Sequence, residues 1–89
     1  MTLKAANITD AIKLKVIEIA HTLDCDASDI GVDEILPATG VIDSAGLMAL
    51  IAWFEGAFDL RIPTEDFTID NLGSMTLMSR YLLRRKGLL

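Results

Sequence analysis

At 89 residues, 52% of them apolar, the chain is one small domain able to build a core without cross-links. Its single cysteine, Cys25, excludes an internal disulfide and a cysteine-based zinc site. The net charge of −5 excludes a general nucleic-acid binder, which depends on clustered Lys and Arg.

The first residues, MTLKAANITDAIKLK, lack the continuous apolar region of a signal peptide. No stretch approaches the roughly 20 apolar residues that span a bilayer, because Ala45–Phe58, the most apolar piece, is interrupted by Gly46, Glu55 and Gly56. A soluble, cytoplasmic protein with no membrane partner is expected.

The first predicted helix runs from about Thr9 to Leu23, with Ile12, Val16, Ile19, Ala20 and Leu23 forming one apolar stripe. Thr9 or Asp10 would cap it. A long connection follows, Asp24 to Asp43, with Pro37 and Gly40 as breakers. Loops of that length in small domains are often functional. Ile30, Val32, Ile35 and Leu36 are expected to pin it across the helices while its acids stay in water.

The second helix is expected over Ser44 to Phe58, its core stripe being Leu47, Leu50, Ile51, Phe54 and Phe58, widened by Trp53. Asp59 and Pro63 end it. Thr64-Glu65-Asp66-Phe67 suits one short helical turn. A last helix begins near Asp70 or Asn71, buries Leu72, Met75, Met78 and Leu82, and stops before Gly87. The expected fold is an all-α bundle of three main helices plus a short one, with the long loop between helices 1 and 2. It forms one domain over residues 1–89, with a core at about 8–83 and a basic tail at 84–89.

Charge is segregated along the chain. Asp24, Asp26, Asp29, Asp33, Glu34 and Asp43 share the long connection with no base, whereas Arg80, Arg84, Arg85 and Lys86 cluster near the end. Such a distribution solvates a loop and complements a helix dipole. It also steers basic partner surfaces towards the loop. Composition alone leaves both readings open.

The informative passage is Gly40-Val41-Ile42-Asp43-Ser44-Ala45-Gly46-Leu47-Met48, in which a long loop delivers Asp-Ser to the first turn of an amphipathic helix. Downstream come Leu50, Ile51, Phe54, Glu55, Phe58, Ile62, Pro63 and Glu65, and Leu36 lies four residues before Gly40. In this pattern, from about Ile8 to Leu83, the chain resembles acyl carrier proteins and peptidyl carrier domains. Asp-Ser by itself carries almost no information; its spacing to the Glu-x-x-Phe and apolar-Pro-x-Glu segments does.

The resemblance implies that a phosphopantetheinyl transferase attaches 4′-phosphopantetheine from coenzyme A to Ser44. It further implies that acyl groups ride on the arm as thioesters, and that Asp43 serves recognition of the transferase or its metal. On its own, Ser44 would be a simple helix cap. No catalytic residue and no metal site is expected. Cys25 has no histidine near it in sequence, and His21, the single histidine, sits near a helix end. Partners implied by the resemblance are the transferase and acyl- or aminoacyl-activating ligases, ketosynthases or acyltransferases, in fatty-acid, polyketide or nonribosomal peptide synthesis. A monomer is expected.

One departure from the family stands out. Many carriers of fatty-acid synthesis have an acidic second helix, but here the face left outside the core stripe is Ala45, Met48, Ala49, Ala52, Glu55 and Gly56, with one charge. Small residues of this kind tolerate exposure or pack under the loop; equally, they form a docking patch that works by shape and burial. Asp-Ser-Ala-Gly-Leu-Met, Trp-Phe-Glu-Gly-Ala-Phe and Thr-Glu-Asp-Phe-Thr-Ile-Asp-Asn-Leu resemble stand-alone carriers serving adenylate-forming acyl or aminoacyl ligases in specialised pathways. Two alternatives remain: an unmodified helical interaction module docking through the second helix, and a hydrolase or transferase using Ser44 as nucleophile. The latter lacks a base and an oxyanion motif.

Overall fold

In a computed structural model describing residues 4–88, the first helix, α1, spans Ala5–Thr22. It starts a turn earlier than the capping signals suggested. Thr9 does not cap: its hydroxyl donates back to the carbonyls of Ala5 and Ala6 at 3.1 and 3.0 Å, inside the helix. The residue before the helix, Lys4, makes no side-chain cap bond. The reason is Ile8, which is buried and prolongs the stripe Ile12–Val16–Ile19 by one turn. Burying an isoleucine contributes about 1.5–3 kcal/mol, more than the roughly 1 kcal/mol of a side-chain cap. At the other end Leu23 leaves the stripe and is exposed, because the chain turns through Asp24 in the left-handed region (φ 59°).

The long connection is ordered by bonds to distant elements. Lys13 of α1 is half-buried and donates from Nζ to the Ile30 carbonyl at 2.7 Å. Ala27, Ile30 and Leu36 are buried. Val32 is not, and pins the loop through its backbone: its carbonyl accepts from Thr76 N at 3.0 Å, while Leu36 N donates to Gly73 O at 2.8 Å. The second half of the connection folds into a short helix, α2 (Leu36–Thr39), with Pro37 in its first turn and Gly40 closing it. As expected, Asp24, Asp26, Asp29, Asp33, Glu34 and Asp43 are all exposed.

Helix α3 (Ser44–Ala57) is the expected second helix, with Leu50, Ile51 and Phe54 buried and Leu47, Trp53 and Phe58 half-buried at its margins. Phe58 meets Phe54 and Trp53 edge-on, at centroid distances of 5.3 and 6.0 Å. A 3₁₀ turn (Thr64–Asp66) follows.

The single last helix expected from the sequence is broken in two, α4 (Ile69–Leu72) and α5 (Met75–Arg85). Asp70 and Asn71 are not its caps. Thr68 caps α4, accepting from Asn71 N, and the buried Ser74 caps α5, accepting from Leu77 N. The break falls at Gly73, where a Cβ would lie 2.5 Å from the Ile69 carbonyl oxygen.

Helix α1 packs on α3 and α5, α4 packs on α5, and α2 packs on α3. Leu36, Leu50, Phe54, Met75, Met78 and Leu82 close the centre, all fully buried. The fold is thus all-α, with three long helices as expected and two short ones plus a 3₁₀ turn instead of one. No strand occurs among the described residues. The basic end is tied down: Arg85 Nη2 donates to Arg61 O at 3.0 Å and Lys86 Nζ to Asp59 O at 2.9 Å. Residues 1–3 and 89, included in the single-domain span and the basic tail, lie outside the described residues.

Candidate functional site

The start of α3 is built by Asp43, Ser44 and Gly46. Asp43 is its N-cap, with Oδ1 accepting from Gly46 N at 2.7 Å, and the Asp43 carbonyl accepts from Leu47 N at 2.8 Å. Those bonds leave the N–H groups of Ser44 and Ala45 as the donors the helix cannot satisfy itself. Ser44 is therefore the first helical residue, not the cap, and it is exposed. Its hydroxyl stands at the positive end of a helix of 14 residues, free of a capping role.

Gly46, which the sequence reading passed over, anchors this arrangement. It is buried, and a Cβ there would lie 2.7 Å from Ile42 Cγ1, 3.1 Å from Ile19 Cγ2 and 3.2 Å from Asp43 Oδ1. A glycine in the first turns of a helix costs about 1 kcal/mol relative to alanine, so its presence signals a packing demand. Here the demand is the close approach of the α3 start to α1.

The face expected for docking is divided by the structure. Ala45, Met48, Ala49 and Ala52 are exposed. Ala45 and Ala49 look onto a hollow shared with Glu18, Leu23 and Trp53 on the α1 side. Met48, 46% exposed, lines a groove on the opposite side with Ile51, Phe67, Ile69 and Leu72. That groove, of about 170 Å³, has no charged side chain in its wall. Pro37 and Leu47 line both it and the hollow that holds Ser44 and Asp43, so the two adjoin. Glu55 departs from the face: it is half-buried, and Oε2 accepts from Ile62 N at 2.8 Å. The carboxylate fixes the turn after α3.

The remaining candidates stay apart from Ser44. His21 is exposed near the end of α1. Cys25 is a half-buried loop residue whose Sγ lies 3.5 Å from the Leu23 carbonyl. Hydrogen bonds from the Ser28 hydroxyl and N–H hold the Asp26 carboxyl below the usual range, a local turn and nothing more. Among the described residues no group of three or more His, Cys, Asp or Glu side chains is placed to hold a metal, and no helix is long and apolar enough to cross a membrane.

Residues 16–78 match the family model described as "Phosphopantetheine attachment site". The D-alanyl carrier protein of Streptococcus sanguinis (strain SK36) is 44% identical over 61 residues, covering 67% of this chain and 76% of that protein. The D-alanyl carrier proteins of Streptococcus gordonii (strain Challis) and Streptococcus thermophilus (strain ATCC BAA-491 / LMD-9) are each 43% identical over the same shares. No solved structure matches the chain.

The family's cofactor, 4′-phosphopantetheine, is joined through a phosphate to a hydroxyl, and the start of α3 fits such a group. It offers an exposed hydroxyl, unsatisfied backbone donors and the positive end of the helix. By the match over most of its length, the chain belongs to the phosphopantetheine-attachment family, and it is a carrier protein and not an enzyme.

Proposed function

We propose that Ser44 is the attachment serine and that the protein carries an aminoacyl or acyl group, charged by an adenylate-forming ligase, on the arm it holds. The observation that carries this reading is the division of labour at the helix start: Asp43 does the capping, which leaves the Ser44 hydroxyl exposed and available. When attached, the arm supplies a terminal thiol on which acyl groups are held as thioesters. The chain supplies the rest. The N–H groups of Ser44 and Ala45 and the α3 dipole favour a phosphate at Ser44. Asp43 opposes that phosphate by its charge, so beyond capping it serves recognition by the transferase or the transferase's metal.

The aminoacyl preference rests on the D-alanyl carrier proteins among the relatives and on the absence of an acidic α3 face, where Ala45, Met48, Ala49 and Ala52 stand exposed. With Glu55 turned to Ile62 N, the exposed residues of that face carry no charge, and docking by shape and burial suits it better than docking by charge.

The test is the intact mass of the protein co-expressed with a promiscuous phosphopantetheinyl transferase. A gain of one arm in the wild type, absent in Ser44→Ala, is expected. If Ser44→Ala still gains the arm, attachment lies elsewhere. If neither protein gains it with several transferases, the chain is an unmodified interaction module docking through α3.

A further inference from the structure

The groove beside Ser44 has two walls of unequal footing. One is α3, with Leu47, Met48 and Ile51. The other is the stretch Phe67–Ile69, which runs from the 3₁₀ turn into the first residue of α4. Phe67 and Ile69 are 38% and 57% exposed, so burial holds them less firmly than it holds the core of α3.

Beside the packing of the buried Leu72, a polar tie from α5 holds them. The ring of Tyr81 is buried, and its hydroxyl donates to Asp66 Oδ2 at 2.6 Å. Arg85 Nη1 donates to the same hydroxyl at 2.6 Å, and Arg85 Nη2 reaches the Arg61 carbonyl at 3.0 Å. Asp66 and Arg85 form no direct ion pair; the phenol joins the two charges. The Asp66 carbonyl in turn accepts from Thr68 N at 2.8 Å and Asn71 Nδ2 at 3.1 Å. One residue, Asp66, therefore ties α5 by its carboxylate and the start of α4 by its carbonyl. None of Asp66, Tyr81 and Arg85 lines the groove or the hollow at Ser44.

We propose that Asp66, Tyr81 and Arg85 form a positioning clasp that keeps the Phe67–Ile69 wall in the shape the phosphopantetheinyl transferase binds, an inference that rests on Ser44 being the attachment serine. The clasp acts only through the backbone of residues 66–69, so it governs how well a partner seats and not the reaction at Ser44. Loss of the clasp costs the productive groove part of its population, which a partner must recover on binding.

The experiment compares the full-length apo-protein with Tyr81→Phe, Asp66→Ala and Asp66→Asn; the last keeps an acceptor oxygen for the phenol. Two readouts are taken: amide hydrogen exchange, and KM and kcat of the promiscuous transferase with coenzyme A. Tyr81→Phe and Asp66→Ala are expected to speed exchange at Thr68, Asn71, Leu72 and Gly73 by roughly threefold to tenfold, the change that one lost hydrogen bond produces. Amides of α1 and α3 should not move. The same two variants should raise KM by a comparable factor with kcat unchanged, and Asp66→Asn should restore both. Exchange that rises equally in every helix, or not at all in residues 68–73, overturns the clasp. So does a KM that stays put while local exchange rises. A wild type that accepts no arm overturns the attachment reading instead, and local exchange then decides on its own whether the clasp holds the wall.

Discussion

Replacing Gly46 with alanine tests whether the start of α3 is held as tightly as its geometry says. Helix propensity alone favours the change by about 1 kcal/mol. Against it, the new methyl would sit 2.7 Å from Ile42 Cγ1 and 3.1 Å from Ile19 Cγ2. Neither neighbour has room to swing: Ile42 is 3% and Ile19 9% exposed, and β-branched side chains are stiff at χ1. Overpacking of this kind costs about 1–3 kcal/mol. The net expectation is a loss of about 1 kcal/mol, or a melting temperature lower by roughly 4–8 °C for a domain of this size. Urea unfolding followed by Trp53 fluorescence and helical circular dichroism measures it. Because relief requires α3 to move off α1, arm attachment at Ser44 should slow as well. An unchanged or raised stability would mean that the close approach is not made, and the account of Gly46 would fall with it.

Other substitutions separate capping from recognition. Asp43→Ala should lower stability by about 0.5–2 kcal/mol, whereas Asp43→Asn keeps the cap and should be stable. If the carboxylate serves the transferase, both variants take up the arm slowly; full uptake by Asp43→Asn would show the charge to be dispensable. Met48→Glu places a charge in a neutral groove at an exposed site, so stability should stay within about 0.5 kcal/mol while KM for partner enzymes rises. An unchanged KM would remove Met48 from the docking surface. Burial, and next the bond to Asp66, push the Tyr81 phenol above its ordinary value. The folded state thus holds this proton more tightly than the unfolded chain, so stability is undiminished below a pH of about 10 and falls as pH rises towards the folded value. Tyr81→Phe should flatten that alkaline decline, and a decline of the same size in both proteins would contradict the assignment.

Periodicity located the three long helices because each buries a continuous stripe, and a stripe of spacing three and four is visible in one dimension. It misjudged helix ends wherever burial outweighed local capping. Ile8 drew α1 back past Thr9, and Gly73 with Ser74 split the last helix, although both residues were in plain view. Tyr81 carries no signal in one dimension because its hydroxyl partner, Asp66, is 15 residues away, and Glu55 reads as a surface residue because its partner, Ile62 N, lies across a turn.

Asp43 and Ser44 illustrate the boundary most sharply. Their spacing to Gly40, Glu55 and Phe58 was enough to identify the family and to nominate the residue pair proposed for attachment, since a motif is a property of order along the chain. Which of the two caps the helix was not legible, because aspartate and serine are equally good caps and only the path of the loop decides between them. Nor could order along the chain divide the α3 face into two hollows, for that depends on where α1 and α4 pack against it. The family was written in the sequence; the shape of the surface around Ser44 was decided by packing, which brings together residues that the chain keeps apart.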